Sequence, residues 1–173
     1  MKKKYCPRKG GFTLIELLIV VAIIAILAII IVIAINPARI LEKSRDSQRF
    51  SDMTTLATAI NLYLADGQVF PGDEDKTTND AACIADINAC KKNDGSGWVP
   101  LNFSLVSSGA PLAALPIDPT NDATYFYEIG LNQGLKTYEI SAAFESDSNT
   151  PKQAADGGDD ANRYEVGTDL TII

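Results

Sequence analysis

One acidic side chain, that of Glu16, stands inside a long apolar segment near the N-terminus. Residues 12–35 read FTLIELLIVVAIIAILAIIIVIAI, in which Thr13 and Glu16 are the polar residues. A carboxylate inside a membrane span costs about 2.5–3.5 kcal/mol on insertion scales and is by default a functional candidate. Two interpretations remain open: Glu16 reaches the membrane interface, or it pairs with a cation at the same depth.

A cation for Glu16 arises if the chain is cut between Gly11 and Phe12. Residues 12–35 contain no Lys, Arg or His, but cleavage would create an α-amino group on Phe12. In a filament, this amine can neutralise Glu16 of a neighbouring subunit, so that the insertion cost favours assembly in one register. Gly10 and Gly11 suit a protease substrate, because glycine resists helix formation.

The apolar segment has the length of a membrane span. At about 1.5 Å per residue its helix would be about 36 Å long, compared with a bilayer core of about 30 Å. The apolar region of a secretory signal peptide is shorter, at about 7–15 residues. We predict a membrane helix with a cytoplasmic N-terminus, although basic residues flank both ends of the segment.

The segment KGGFTLIEL at residues 9–17 resembles the processing and methylation signature of class A type IV pilins and pseudopilins. This resemblance implies that a prepilin peptidase cuts after Gly11 and methylates the new amine of Phe12, and that Glu16 directs assembly. It further implies an inner-membrane assembly platform as a partner and a helical filament of identical subunits. The chain would lie in the cytoplasmic membrane before assembly and on the cell surface afterwards.

Four segments follow from the pattern and the resemblance. Residues 1–11 are a leader that is removed, and residues 12–35 are the membrane and filament-core helix. Residues 36–67 are its amphipathic continuation, and residues 68–173 are an extracellular domain. We predict an α+β fold of the pilin type, with a long N-terminal helix packed on a small antiparallel β-sheet.

The amphipathic segment begins with Asn36-Pro37, where proline is expected to bend or break the helix. Gly67 is expected to end it. Apolar residues at helical spacing predict one buried face: Ile40, Met53, Leu56, Ala57, Ile60 and Leu64. Charged residues in the first half predict a solvated face, with salt bridges between subunits as the alternative: Arg39, Glu42, Lys43, Arg45, Asp46 and Arg49.

The extracellular domain begins with a polar stretch, residues 71–97, which we predict to be a structured loop. A run of core-filling side chains follows: Trp98, Val99, Leu101, Phe103 and Leu105. Antiparallel strands are predicted at residues 124–129 and 136–144, joined by a turn containing Gly130 and Gly134. Alternation of Tyr125, Tyr127, Tyr138 and Ile140 indicates a half-buried sheet, whose last strand runs through residues 164–166 or 169–173.

The three cysteines are Cys6, Cys83 and Cys90. Cys6 would leave with the leader. Cys83 and Cys90 have no further Cys or His that could complete a zinc site. Because the domain would lie in an oxidising compartment, we predict a local disulfide between them.

Clusters of aspartate in two loops suggest calcium as a candidate ligand, since this ion prefers oxygen atoms. The candidates are Asp118, Asp122, Asp156, Asp159 and Asp160. Residues 115–119, LPIDP, are similar to a stretch of major pseudopilins, and the resemblance implies calcium in C-terminal loops. Acidic loops are also commonly just solvated, and no other cofactor is expected.

The amino-acid composition of the chain limits the classes of function that it can have. The chain contains no His, and its formal net charge is −7; without residues 1–11, ten basic and 22 acidic residues would remain, giving −12. Direct nucleic-acid binding is therefore not expected. We predict a structural filament subunit rather than an enzyme. A minor pilin or a pseudopilin of a type II secretion or DNA-uptake machine is the first alternative, and a single-pass membrane-anchored enzyme or binding module is the second.

Overall fold

The computed structural model describes residues 10–173. Most of the predicted leader, including Cys6, therefore lies outside the described residues. The chain divides into two units between Ile40 and Leu41.

The first unit contains helix α1, Leu14–Ile35, which is followed by the start of helix α2, Pro37–Ala65. Asn36 separates the helices with left-handed backbone angles, φ 46° and ψ 81°, a region that asparagine tolerates better than most residues. Pro37 occupies the first position of α2, where its missing N–H is not needed. The predicted interruption at Asn36-Pro37 is thus a complete break, giving two helices instead of one.

The second unit begins within α2, which ends in a glycine turn. Gly67 has φ +83°, and its N–H donates to the carbonyl of Leu64 at 3.0 Å. The N–H of Gln68 donates to the carbonyl of Tyr63 at 3.3 Å. These bonds satisfy carbonyls of the last turn, so the predicted helix stop at Gly67 is confirmed.

A four-stranded antiparallel sheet follows in the order β1-β2-β3-β4. Its strands are β1 Glu74–Thr77, β2 Tyr127–Asn132, β3 Thr137–Ala142 and β4 Tyr164–Gly167. Short helices lie between them: α3 Ala81–Ala85, α4 Ile87–Cys90, a 3-10 turn at Phe103–Leu105, and α5 Thr150–Gln153. The architecture is α+β, as predicted, with a long apolar helix, a second helix and a small antiparallel sheet.

Several predicted elements need correction. Residues 71–97, which we expected to form a loop, contain β1, α3 and α4. Gly130 lies within β2 opposite Glu139 and not in the turn. Strand β2 starts three residues later than predicted, because the Asp122 side chain accepts the N–H groups of Thr124 and Tyr125, both at 2.8 Å, and holds them in a turn.

The core of the second unit lies between α2 and one face of the sheet. Tyr127 and Tyr138 are buried, and their hydroxyls donate to Asp52 Oδ2 at 2.9 Å and to the Ala57 carbonyl at 3.2 Å. Trp98 is also buried and donates from Nε1 to the Pro116 carbonyl at 2.8 Å, as befits a core residue.

Two side chains that were predicted to fill the core are exposed instead. Ile40 is 52% exposed and Leu105 is 54% exposed. Ile40 belongs to the first unit, and the core residues of α2 begin only at Met53. Leu105 ends the 3-10 turn, in which Phe103 is the buried side chain.

Candidate processing site and a buried charge cluster

The Gly11–Phe12 junction lies in a non-helical segment directly before α1. Residues 10–13 have no regular secondary structure, and α1 begins at Leu14. A side chain built at Gly10 or Gly11 would meet no other atom within 4 Å, and Phe12 is 85% exposed. The backbone at this junction is therefore open to a protease, which binds its substrate in an extended form.

Glu16 closes a capping box at the start of α1. Its Oε2 accepts the N–H of Thr13 at 2.8 Å and the Thr13 hydroxyl at 2.7 Å. The N–H of Glu16 donates in return to Thr13 Oγ1 at 3.3 Å. The carboxylate also lies at the positive end of the helix dipole. The sequence signal for this contact is the spacing T-x-x-E at residues 13–16, which our sequence reasoning did not use.

The surface of α1 is apolar on every side and is not covered within its own unit. Residues 14–33 have the length and composition of a membrane span, and none of their side chains is buried. Water is a poor solvent for such a surface. The helix therefore requires lipid or other protein chains around it.

A family model described as the prokaryotic N-terminal methylation motif matches residues 6–32. The chain carries the signature of the type IV pilin class. This signature implies processing by a prepilin peptidase and assembly into pilus-like filaments, and it indicates a structural subunit anchored in the membrane before assembly. No curated protein and no solved structure matches the chain.

The second unit of this pilin-like chain holds a cluster of buried charges around Arg49, which we call the Arg49 cluster. It consists of Arg45, Asp46, Arg49, Asp118 and Glu145. Arg49 is 0% exposed, and its Nε and Nη2 donate to the two carboxylate oxygens of Asp118 at 2.7 and 2.9 Å. The same guanidinium donates to Asp46 Oδ1 at 3.0 Å and to Glu145 Oε1 at 2.6 Å.

Asp46 connects α2 to the segment between β3 and β4. Its oxygens accept the N–H groups of Glu145 and Ser146 at 2.8 and 2.9 Å, and the Ser146 hydroxyl at 2.6 Å. Asn149 adds a further hydrogen bond at 3.1 Å. Burial alone would raise the pKa of Asp46, but these donors outweigh it and hold the pKa below its usual range.

Glu145 accepts hydrogen bonds from both arginines of the cluster. Arg45 donates from Nε to both oxygens of Glu145, at 2.8 and 2.9 Å. The hydrogen bond from Arg45, together with those from Arg49 and Thr120, lowers the pKa of Glu145 to about 2 although burial opposes the shift. Asp46 and Glu145 are therefore ionised at neutral pH.

This cluster corrects the predicted solvated face of α2. Asp46 and Arg49 are buried, and their partners belong to the same chain and not to a neighbouring subunit. Asp118 and Glu145 stand 69 and 96 residues from Arg49, so helical spacing could not reveal them. The i, i+3 spacing of Asp46 and Arg49 is the local part of the signal.

The proposed calcium ligands are placed in separate local contacts. Asp118 binds Arg49 and accepts the N–H groups of Thr120 and Asn121. Asp122 caps the turn before β2, Asp156 accepts the N–H groups of Gly158 and Glu165, and Asp160 accepts that of Asn162. Asp159 is exposed. Among residues 10–173, no three carboxylate or Cys side chains come together as metal ligands would.

Cys83 and Cys90 connect the two short helices that the sequence did not predict. A disulfide joins Cys83 of α3 to Cys90 of α4, with 4.9 Å between the Cα atoms. Both cysteines are buried. The bond therefore fixes the segment between β1 and Trp98 against the core.

Proposed function

We propose that this chain is the structural subunit of a type IV pilus-type extracellular filament. Prepilin peptidase cuts it between Gly11 and Phe12 and methylates the new amine, and α1 then forms the filament core. One observation supports the proposal: an exposed, non-helical Gly11–Phe12 junction is followed along the chain by a capped carboxylate at Glu16 and then by an uncovered apolar helix.

Glu16 explains how storage in the membrane leads to assembly. In the separate subunit, Thr13 donates two hydrogen bonds to Glu16, which reduces the cost of placing its carboxylate in lipid. These donors are neutral, so the charge itself remains uncompensated. The positively charged amine of Phe12 on a neighbouring subunit supplies that compensation, and a charged donor binds a carboxylate more strongly than a neutral one.

A pseudopilin of a secretion or DNA-uptake machine is the second candidate, since it would use the same processing step. The LPIDP sequence at residues 115–119 is compatible with both candidates, since it is similar to a stretch of major pseudopilins and of some bacterial pilins. Electron microscopy of material shed from the native cell distinguishes the two: a major pilin is the bulk component of long filaments, whereas a pseudopilin or minor pilin is a trace component.

Intact-mass measurement tests the proposal. The full chain is expressed with its prepilin peptidase, and the purified product is expected to lack residues 1–11 and to carry one added methyl group on Phe12. Expression with a catalytically inactive peptidase is the control, and should leave the chain at full length. Filaments that contain the uncut chain would contradict the proposal.

A further inference from the structure

Two carboxylates are buried on the face of the sheet that points away from the core. Glu139 of β3 is 0% exposed and Glu165 of β4 is 3% exposed. Glu165 stands opposite Ser141 and Glu139 stands opposite Gly167, so the two acids are diagonal neighbours on one face. Because the sequence predicted a half-buried sheet, we expected the side chains on this outer face to be solvated.

Two short segments cover these acids, and together we call them the cover: residues 156–158 and residues 172–173. The N–H groups of Ile172 and Ile173 donate to Glu139 Oε2 at 2.8 and 3.2 Å. Gly130 makes room for them, because a Cβ there would lie 2.7 Å from Ile172 Cγ2. A Cβ at Gly158 would overlap the Glu165 carboxylate, so glycine allows the second segment to approach.

The buried oxygens lack donors. Glu139 Oε1 and both carboxylate oxygens of Glu165 accept no hydrogen bond from the described residues. Two ionised carboxylates buried side by side would repel one another and lose their hydration. A proton on Glu165 removes one charge and supplies the missing donor toward Glu139.

The surrounding charges favour retention of that proton. Arg163 is the cation facing the pair, but it already donates to Ser141 Oγ at 2.8 Å and to the Ser141 carbonyl at 3.1 Å, and lies 3.7 Å from Glu128. Two acids on neighbouring elements repel charge on the pair: Asp156, in the loop before β4, acts on Glu165, and Glu128 on β2 acts on Glu139. Asp75 on β1 and Asp160 add further negative charge beside Glu128. Among residues 10–173 no third ligand completes a metal site here.

We propose that Glu165 keeps a proton, which it donates to Glu139, and that this hydrogen bond holds the cover on the outer face of the sheet. When the proton leaves at alkaline pH, the paired charges push the cover away and expose the face. The inference is independent of the filament function, because it concerns contacts within the domain alone.

The direction of the pH effect follows from the pKa of Glu165. Burial, followed by the hydrogen bond with Glu139, raises this pKa from 4.5 to about 8. The folded state therefore binds more protons than the open state between these two values. Closure of the cover is most favourable below pH 4.5 and weakens as pH rises to about 8, with the opening constant changing at most about tenfold per pH unit for one proton.

Amide hydrogen exchange of the full chain in detergent micelles tests the proposal. From about pH 6 to about pH 9, after correction for intrinsic exchange rates, Ile172 and Ile173 are expected to lose at least about tenfold in protection. Glu165→Gln keeps a donor but cannot ionise, so its protection should not change with pH. Glu74→Gln on β1 is the matched control and should behave as the unaltered chain does.

Three results would overturn the proposal. The first is equal protection at both pH values in the unaltered chain. The second is an unchanged loss of protection with rising pH in Glu165→Gln, since a group other than Glu165 would then release the cover. The third is a carboxyl resonance of Glu165 in the unaltered chain that titrates near its ordinary pKa of 4.5; this measurement also decides the matter if the Gln variant does not fold.

Discussion

At the scale of single residues, charged side chains have two different roles in this chain. Arg49 compensates several acids inside the second unit, so its role is completed within one chain. Glu16 has hydrogen bonds within its own unit but no cation among residues 12–35. The Arg49 cluster therefore stabilises the folded domain, whereas in the proposed filament Glu16 pairs with a cation of a neighbouring subunit.

Replacement of Glu16 tests its proposed role in assembly. Glu16→Ala should still insert and be cut, but filament yield should fall more than about tenfold, because the uncompensated charge is worth about 2.5–3.5 kcal/mol on insertion scales. Thr13→Val is the matched control: it removes the hydroxyl of the capping box but keeps the charge, and should assemble far better. The measurement is sheared filament mass relative to membrane-bound mature subunit. Equal yields from Glu16→Ala and the unaltered chain would exclude pairing of Glu16 with the amine as the driving force.

Replacement of Arg49 tests the buried cluster. Arg49→Met leaves Asp118, Asp46 and Glu145 close together without their shared guanidinium, and should lower the free energy of unfolding by about 3–5 kcal/mol. Lys43→Met removes an exposed cation from the same helix and should change it by less than about 0.5 kcal/mol. Denaturant unfolding followed by circular dichroism compares the two. Similar values for both variants would show that the cluster does not stabilise the domain.

At the scale of secondary-structure elements, the end of α2 depends on one backbone conformation. Gly67→Ala should destabilise the domain by about 1 kcal/mol, because alanine is strained at positive φ. Gly72→Ala is the matched control: neither glycine has an atom within 4 Å of a built Cβ, and only Gly67 has positive φ. Thermal unfolding measures the difference. An equal loss of stability in both variants would contradict a specific role of the left-handed turn.

Local sequence patterns predicted the elements whose causes are local. The apolar segment contains α1, Gly67 ends α2, and alternation located β2 and β3, while β4 coincides with the first of the two predicted positions for the last strand. The missed features have distant causes. Strand β1 forms by pairing with β2, about fifty residues away, and Arg49 is buried because Asp118 and Glu145 meet it there. The capping box is the exception, since its T-x-x-E spacing was visible in the sequence.

At the scale of the whole molecule, acidic composition does not by itself create a metal site. We expect EDTA or added calcium to shift the melting temperature of the full chain in detergent by less than about 2 °C. The physical reason is that Asp118 binds Arg49, while Asp122 and Asp156 accept backbone N–H groups. A saturating metal ion would instead stabilise the chain by about 3 kcal/mol, and raise the melting temperature by several degrees. Such a rise, absent with magnesium, would contradict this expectation.

The chain divides between Ile40 and Leu41 into two compact units of unequal length. The buried hydrophobic core starts at Met53 and the Arg49 cluster starts at Arg45, so both lie downstream of the division. A secretion tag or an unrelated solubility partner could replace residues 1–40 without removing a core side chain. Because the core and the Arg49 cluster lie downstream of residue 40, mutations can change the exposed surface of the domain while the N-terminal helix keeps its sequence.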